Sequence, residues 1–96
     1  MTRQNRISTR IRKRLMVKAM ELTLSNVSLS VKKARISRAT HYRWMNEDIL
    51  YKNAIDEQKE INLDFVEMQL RKLINQGNIT AIIFHLKTQG RHRGYF

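Results

Sequence analysis

Arg38, Ala39, Tyr42 and Arg43 recur at spacings that share one side of a short helix, with Ser37 at its start. Those residue types suit the major groove of DNA. A guanidinium bonds guanine through two parallel N–H donors, and the Ala39 methyl can touch a thymine methyl. Ser37 and the free backbone N–H groups at a helix start suit a phosphate oxygen, and Tyr42 can bond a phosphate or stack. Trp44 and Met45 fall on the inward side. His41 does too, and reads as a buried, hydrogen-bonded histidine. An exposed arginine is often only solvated, so the assignment leans on its context. Arg10, Arg12, Lys13 and Arg14 lie in RIRKR, a basic patch of the nucleic-acid type.

Other chemistry finds little support. His41, His85 and His92 show no metal-binding helical spacing, and GNITA lacks the lysine and glycine spacing of a phosphate loop. Asp56, Glu57, Glu60, Asp64 and Glu67 stand beside Lys52 and Lys59 as a solvated, ion-paired face. The expectation is a non-enzyme with no metal and no cofactor. There is no cysteine, so neither a disulfide nor a thiolate metal site can form.

Charge is strongly segregated within the net +11. Residues 1–46 hold twelve basic residues against Glu21 alone. Residues 47–67 hold seven acids against two lysines, and residues 68–96 hold five basic residues and no acid. The first portion therefore calls for a polyanion, whose condensed counterions it would release. No apolar run is long enough for a membrane span or a signal-peptide core. The acid-free start, rich in Arg, Ser and Thr, also fits an organellar transit peptide, an alternative ranked below a DNA-binding arm.

The elements that must position these residues are all helices. Residues 1–9 read as a disordered basic arm. Ser8 or Thr9 caps a helix over about 10–24, with Ile11, Leu15, Ala19 and Leu22 on its apolar face and Met16 beside them. A second helix runs from Ser28 to Ala34, with Leu29, Val31 and Ala34 inward. Ile36 enters the core from the turn, and Ser37 caps a third helix over about 38–45. Three short helices thus form a helix-turn-helix domain over 10–46. Asp48 caps a long helix from Ile49 to about Gln76, with Tyr51, Ile55, Ile61, Phe65, Met68 and Leu73 as its apolar stripe. Gly77 ends it. Ile79, Ile82, Ile83 and Leu86 mark a short helix to about Thr88 that would complete a helical hairpin. Residues 47–89 form a helical oligomerisation region in which Ile55, Ile61, Phe65 and Met68 join copies, and 90–96 are a basic tail.

ISRATHYRWMNED, with Tyr51-Lys52 and the long acidic helix after it, and GNITAIIFHLKTQGRHRGYF occur here in that order. Together they resemble the small terminase subunits of tailed bacteriophages, in the group with a homeodomain-like helix-turn-helix. The match covers about residues 26–96. Its second half carries Leu86-Lys87-Thr88, Gly90 and Arg93-Gly94-Tyr95. The resemblance implies recognition of viral packaging-site DNA in the cytoplasm of a bacterial host. It implies a ring-shaped homo-oligomer and delivery of double-stranded DNA to a large subunit with ATPase and nuclease activity. It places Arg38, Tyr42 and Arg43 in the recognition helix. One departure bears on the turn: Arg35 stands where the group usually has glycine, and positive φ is costly for arginine. The chain also stops just after the pattern, which leaves room for at most a very short partner-binding tail.

Two further readings stay open. A transcriptional regulator would use the long helix to dimerise on a palindrome with half-sites about one helical turn apart. An RNA-binding or structural protein would use the basic arm as an unspecific anchor.

Overall fold

The computed structural model describes residues 8–96; the arm expected over 1–9 falls mostly outside them. The fold is all-α, with α1 over Thr9–Leu22, α2 over Val27–Ala34, α3 over Arg38–Glu47, α4 over Ile49–Asn75 and α5 over Ile79–Gln89. A 3-10 turn follows over Arg91–Arg93. Each start is capped by the residue type that local chemistry favours. Ser8, Asn26, Ser37 and Asn78 accept the orphan N–H three residues on. Asp48 Oδ1 accepts from the N–H groups of both Leu50 and Tyr51 at the start of α4.

The chain divides into two compact units, Met1–Leu63 and Asp64–Phe96. This corrects the boundary expected after Asn46, because the first part of the long helix belongs with the helix-turn-helix. Tyr51 and Ile55 are buried in one core with Met16, Met20, Val31, Ala34 and Trp44. Asn62 is buried as well. Its Nδ2 donates to the Met20 carbonyl at 2.9 Å and to Ser25 Oγ at 2.7 Å, and its Oδ1 accepts from Gln58. A buried amide with satisfied partners fixes where the helix lies on α1, since losing a partner would leave a desolvated polar group.

Two expected core faces are displaced. In α1 the buried side is Met16, Ala19 and Met20, with Val17 packed against it, while Ile11, Leu15 and Leu22 are exposed. In α2, Leu29 is exposed and Ser30 is wholly buried, its hydroxyl 2.7 Å from that of Thr23. Apolar spacing alone cannot choose between two stripes on one helix; the tertiary partner chooses. Here Met16, Val17 and Met20 fit the cleft, and Thr23 satisfies the serine.

In the second unit a tight turn joins α4 to α5. Gly77 takes φ +79°, its N–H donates to the Ile74 carbonyl, and that of Asn78 donates to the Leu73 carbonyl. Phe65, Met68, Leu73, Ile83 and Phe84 remain exposed, and only Ala81 and Gly90 are buried. Where a hairpin was expected, the apolar faces of the two helices are therefore not buried on one another. The RGY segment returns over α5, so that Gly94, Tyr95 and Phe96 border a groove with Ile83, Leu86 and Lys87. A side chain at Gly90 would meet the Leu86 carbonyl oxygen at 2.7 Å and Tyr95 at 3.2 Å. This close approach gives Gly90 of the LKT…G…RGY pattern a structural reason.

Candidate nucleic-acid interface

Helix α3 presents two chemically opposite sides. His41 and Trp44 are buried, and Met45 packs against the core. Arg38, Ala39, Tyr42 and Arg43 are exposed on the other side, as their spacing requires. The helix runs to Glu47, past the expected end at Met45, so its outer face also carries Asn46. Asn46 lies seven residues after Ala39 and four after Tyr42, and its amide can bond adenine bidentately. Asn46 lies just beyond the helix end expected near Met45. The cap at Asp48 was the signal that the helix continues to that point.

The start of α3 is ordered in detail. The Ser37 hydroxyl accepts from the Thr40 N–H at 3.0 Å and donates to Thr40 Oγ1 at 2.9 Å. Arg38 Nη1 donates to Ser28 Oγ on α2 at 2.7 Å, and the guanidinium lies 5.6 Å from the Tyr42 ring centre. These contacts hold Arg38 in one orientation while leaving most of its five N–H donors unengaged. Less side-chain entropy would then be lost on binding an acceptor.

The turn from α2 into α3 keeps its left-handed form despite Arg35. Arg35 takes φ +56° and ψ +46°, and the Ile36 N–H donates to the Val31 carbonyl at 3.0 Å. Arg12 Nη1 donates to the Arg35 carbonyl at 2.9 Å. This bond from α1 braces the strained residue.

The four basic residues of RIRKR do not act as one patch. Arg12 lies beside the turn. Lys13 is committed within the fold: its ammonium is 2.7 Å from Asp48 Oδ2 and 5.4 Å from the centre of the Trp44 ring. Arg10 and Arg14 border a groove with Leu50 and Ala54, on a different side of α1 from Arg12. Helical geometry turns successive residues by about 100°, so Arg12 faces away from Arg10, Lys13 and Arg14, which line one groove. Lys13, expected among the DNA contacts, has its ammonium engaged by Asp48.

Ile55, expected to join copies, is fully buried in the chain's own core and is unavailable for that role. Ile61, Phe65 and Met68 are each about half exposed.

Behind the exposed face of α3, Tyr51 on α4 meets His41 on α3. The Tyr51 hydroxyl and His41 Nδ1 are 2.7 Å apart and share one hydrogen bond, the donor set by the imidazole tautomer. Burial lowers the His41 pKa, and the positive charges of Lys59 and Arg38 lower it further. Burial also raises that of the Tyr51 phenol. Both groups are therefore neutral near pH 7. The Asp48 carboxyl is lowered by its bond to Lys13 and by the N–H of Tyr51.

No helix among the described residues is long and apolar enough to cross a membrane. Comparison with family models, with curated proteins and with solved structures yields no match to this chain.

Proposed function

We propose that this chain binds duplex DNA through α3 and self-associates, and that it serves as the DNA-recognising small subunit of a phage packaging terminase. The observation that carries the first part is the outer face of α3. Arg38, Ala39, Tyr42, Arg43 and Asn46 form a base-reading set on a helix whose inner side is locked into a core. The surrounding excess of positive charge supplies affinity for the phosphate backbone. Self-association rests on the exposed apolar side chains of α4 and α5, a kind of surface that soluble monomers seldom leave open.

The packaging role rests on the resemblance of residues 26–96. In this reading the chain contributes no catalysis. ATP hydrolysis and DNA cleavage belong to the large subunit, in the cytoplasm of the bacterial host.

The experiment is a selection of fragments from a tailed-phage genome by the immobilised protein, followed by titration at two salt concentrations. The reading expects enrichment of one packaging-proximal region, with affinity falling steeply as salt rises. A single palindromic promoter site bound by a dimer would favour the regulator instead. Equal affinity for single-stranded RNA and duplex DNA would refute both.

A further inference from the structure

We propose that α5 and the RGY segment form a seat for one unstacked base of single-stranded DNA, with the adjoining cations on its phosphates. The site lies wholly in the second unit, and the α3 face makes no use of it. The groove has a volume of about 220 Å³. Ile83 and Leu86 of α5 line it, together with Tyr95 and Phe96 of the returning segment. Tyr95 is 47% exposed and Phe96 82% exposed, so both rings keep open surface.

The backbone sets this seat in place. The Arg93 N–H donates to the Gly90 carbonyl and the Gly94 N–H to the Arg91 carbonyl, both at 2.9 Å. Gly94 then takes φ +96°, a conformation that glycine adopts without strain, and the chain turns back along α5. The bare Cα of Gly90 lets the Tyr95 ring come against the end of α5. A ring already held in place loses little freedom when a base stacks on it.

Charge complementarity selects the occupant. Lys87 lines the groove, and Arg91 and Arg93 are exposed in the adjoining 3-10 turn. Among the described residues none of these three is in an ion pair, and no acid follows Glu67 in the sequence. Free cations beside an apolar, aromatic slot fit a ligand that is both flat and anionic, and a nucleotide is both. A base inside a duplex has its two faces covered by its neighbours, so only an unstacked base can enter. The aliphatic lining favours thymine, whose methyl can pack on Ile83 or Leu86. Uracil lacks that methyl, which selects DNA over RNA. This inference goes beyond duplex recognition by α3 and does not rest on it.

The test is fluorescence anisotropy of a labelled oligothymidylate of about a dozen nucleotides, titrated with the full chain at two salt concentrations. The wild type is expected to bind, and more weakly at the higher salt. Tyr95→Ala should lower the affinity about 5–150-fold, and Tyr95→Phe should retain it, since a phenyl ring still stacks. Gly90→Ala keeps every side chain of the tail but meets the Leu86 carbonyl oxygen and the Tyr95 ring, so it too should weaken binding. A merely basic tail would be indifferent to that change. Circular dichroism should show the helix content of all three variants intact. An oligouridylate of the same length is expected to bind about fourfold more weakly, the effect of one buried methyl. Duplex affinity, read on the same proteins, should be unchanged by Tyr95→Ala. Oligothymidylate binding indifferent to Tyr95→Ala, an equal loss on duplex and single strand, or oligouridylate held as tightly would overturn the proposal. Binding to phosphatidylglycerol vesicles with none to oligothymidylate would also overturn it and assign the surface to an anionic membrane. Each of these failures leaves the α3 reading to its own test on duplex DNA.

Discussion

The two units treat apolar side chains in opposite ways. In Met1–Leu63 seven hydrophobic residues from four helices share one buried cluster, and polar side chains tie distant positions together. Asn62 reaches back to Met20 and Ser25, Tyr51 to His41, and Lys13 to Asp48. In Asp64–Phe96 the helices are as apolar, yet their large side chains are mostly exposed. The contrast teaches that helical periodicity reports an apolar face and does not say whether the chain itself covers it. The first unit fixes the inner side of α3 in a packed core. The second leaves most of its apolar side chains exposed.

Core truncation should separate the units most sharply. Ile55→Ala leaves a cavity in the first core and is expected to cost about 2–5 kcal/mol in chemical denaturation. Phe65→Ala removes a half-exposed ring and should change monomer stability by no more than about 0.5 kcal/mol. Similar losses from the two substitutions would erase the distinction. Next in size is Tyr51→Phe, which leaves Nδ1 of buried His41 without its partner. It should cost about 1–3 kcal/mol and weaken DNA binding, since the bond ties α3 to α4.

Acid should destabilise the first unit. His41 has a lowered pKa in the folded state, so below its ordinary value of 6.5 the unfolded chain binds a proton that the folded chain refuses. The His41 contribution is therefore intact above pH 6.5 and is lost as pH falls from there toward the folded-state value. Asp48, also lowered, adds a further loss as pH falls below 3.8. A denaturation midpoint flat from pH 7 to pH 5 would contradict the first of these. A gain is expected at the α2–α3 turn: Arg35→Gly relieves the left-handed arginine and should stabilise by roughly 0.5–1 kcal/mol. A loss instead would mean that the bond from Arg12 and the packing of the arginine stem outweigh the strain.

Much of this architecture is legible in the residues. Caps at Ser8, Ser37 and Asp48, the stop at Gly77 and the inward placement of His41 and Trp44 follow from local chemistry, and the structure places them so. What was not legible depends on tertiary partners. Ile11, Leu15 and Leu22 have as good a helical spacing as Met16, Val17 and Met20, but only the latter meet α2 and α4. Ser30 looks like a surface residue until Thr23 is beside it. Asn62, the polar anchor of α4, carries no local signature. The run Arg10–Arg14 reads as one patch in one dimension, but winding it into a helix turns Arg12 away from Arg10, Lys13 and Arg14.

The central claim is that α3 reads base edges through Arg38 and Arg43, and the most direct measurement is methylation interference at guanine N7 on a selected duplex. The account predicts that methylating one or two guanines abolishes wild-type binding, and that Arg38→Ala or Arg43→Ala removes the sensitivity at its own guanine while lowering affinity about 5–150-fold, the equivalent of about 1–3 kcal/mol. Binding indifferent both to N7 methylation and to loss of either arginine would contradict it.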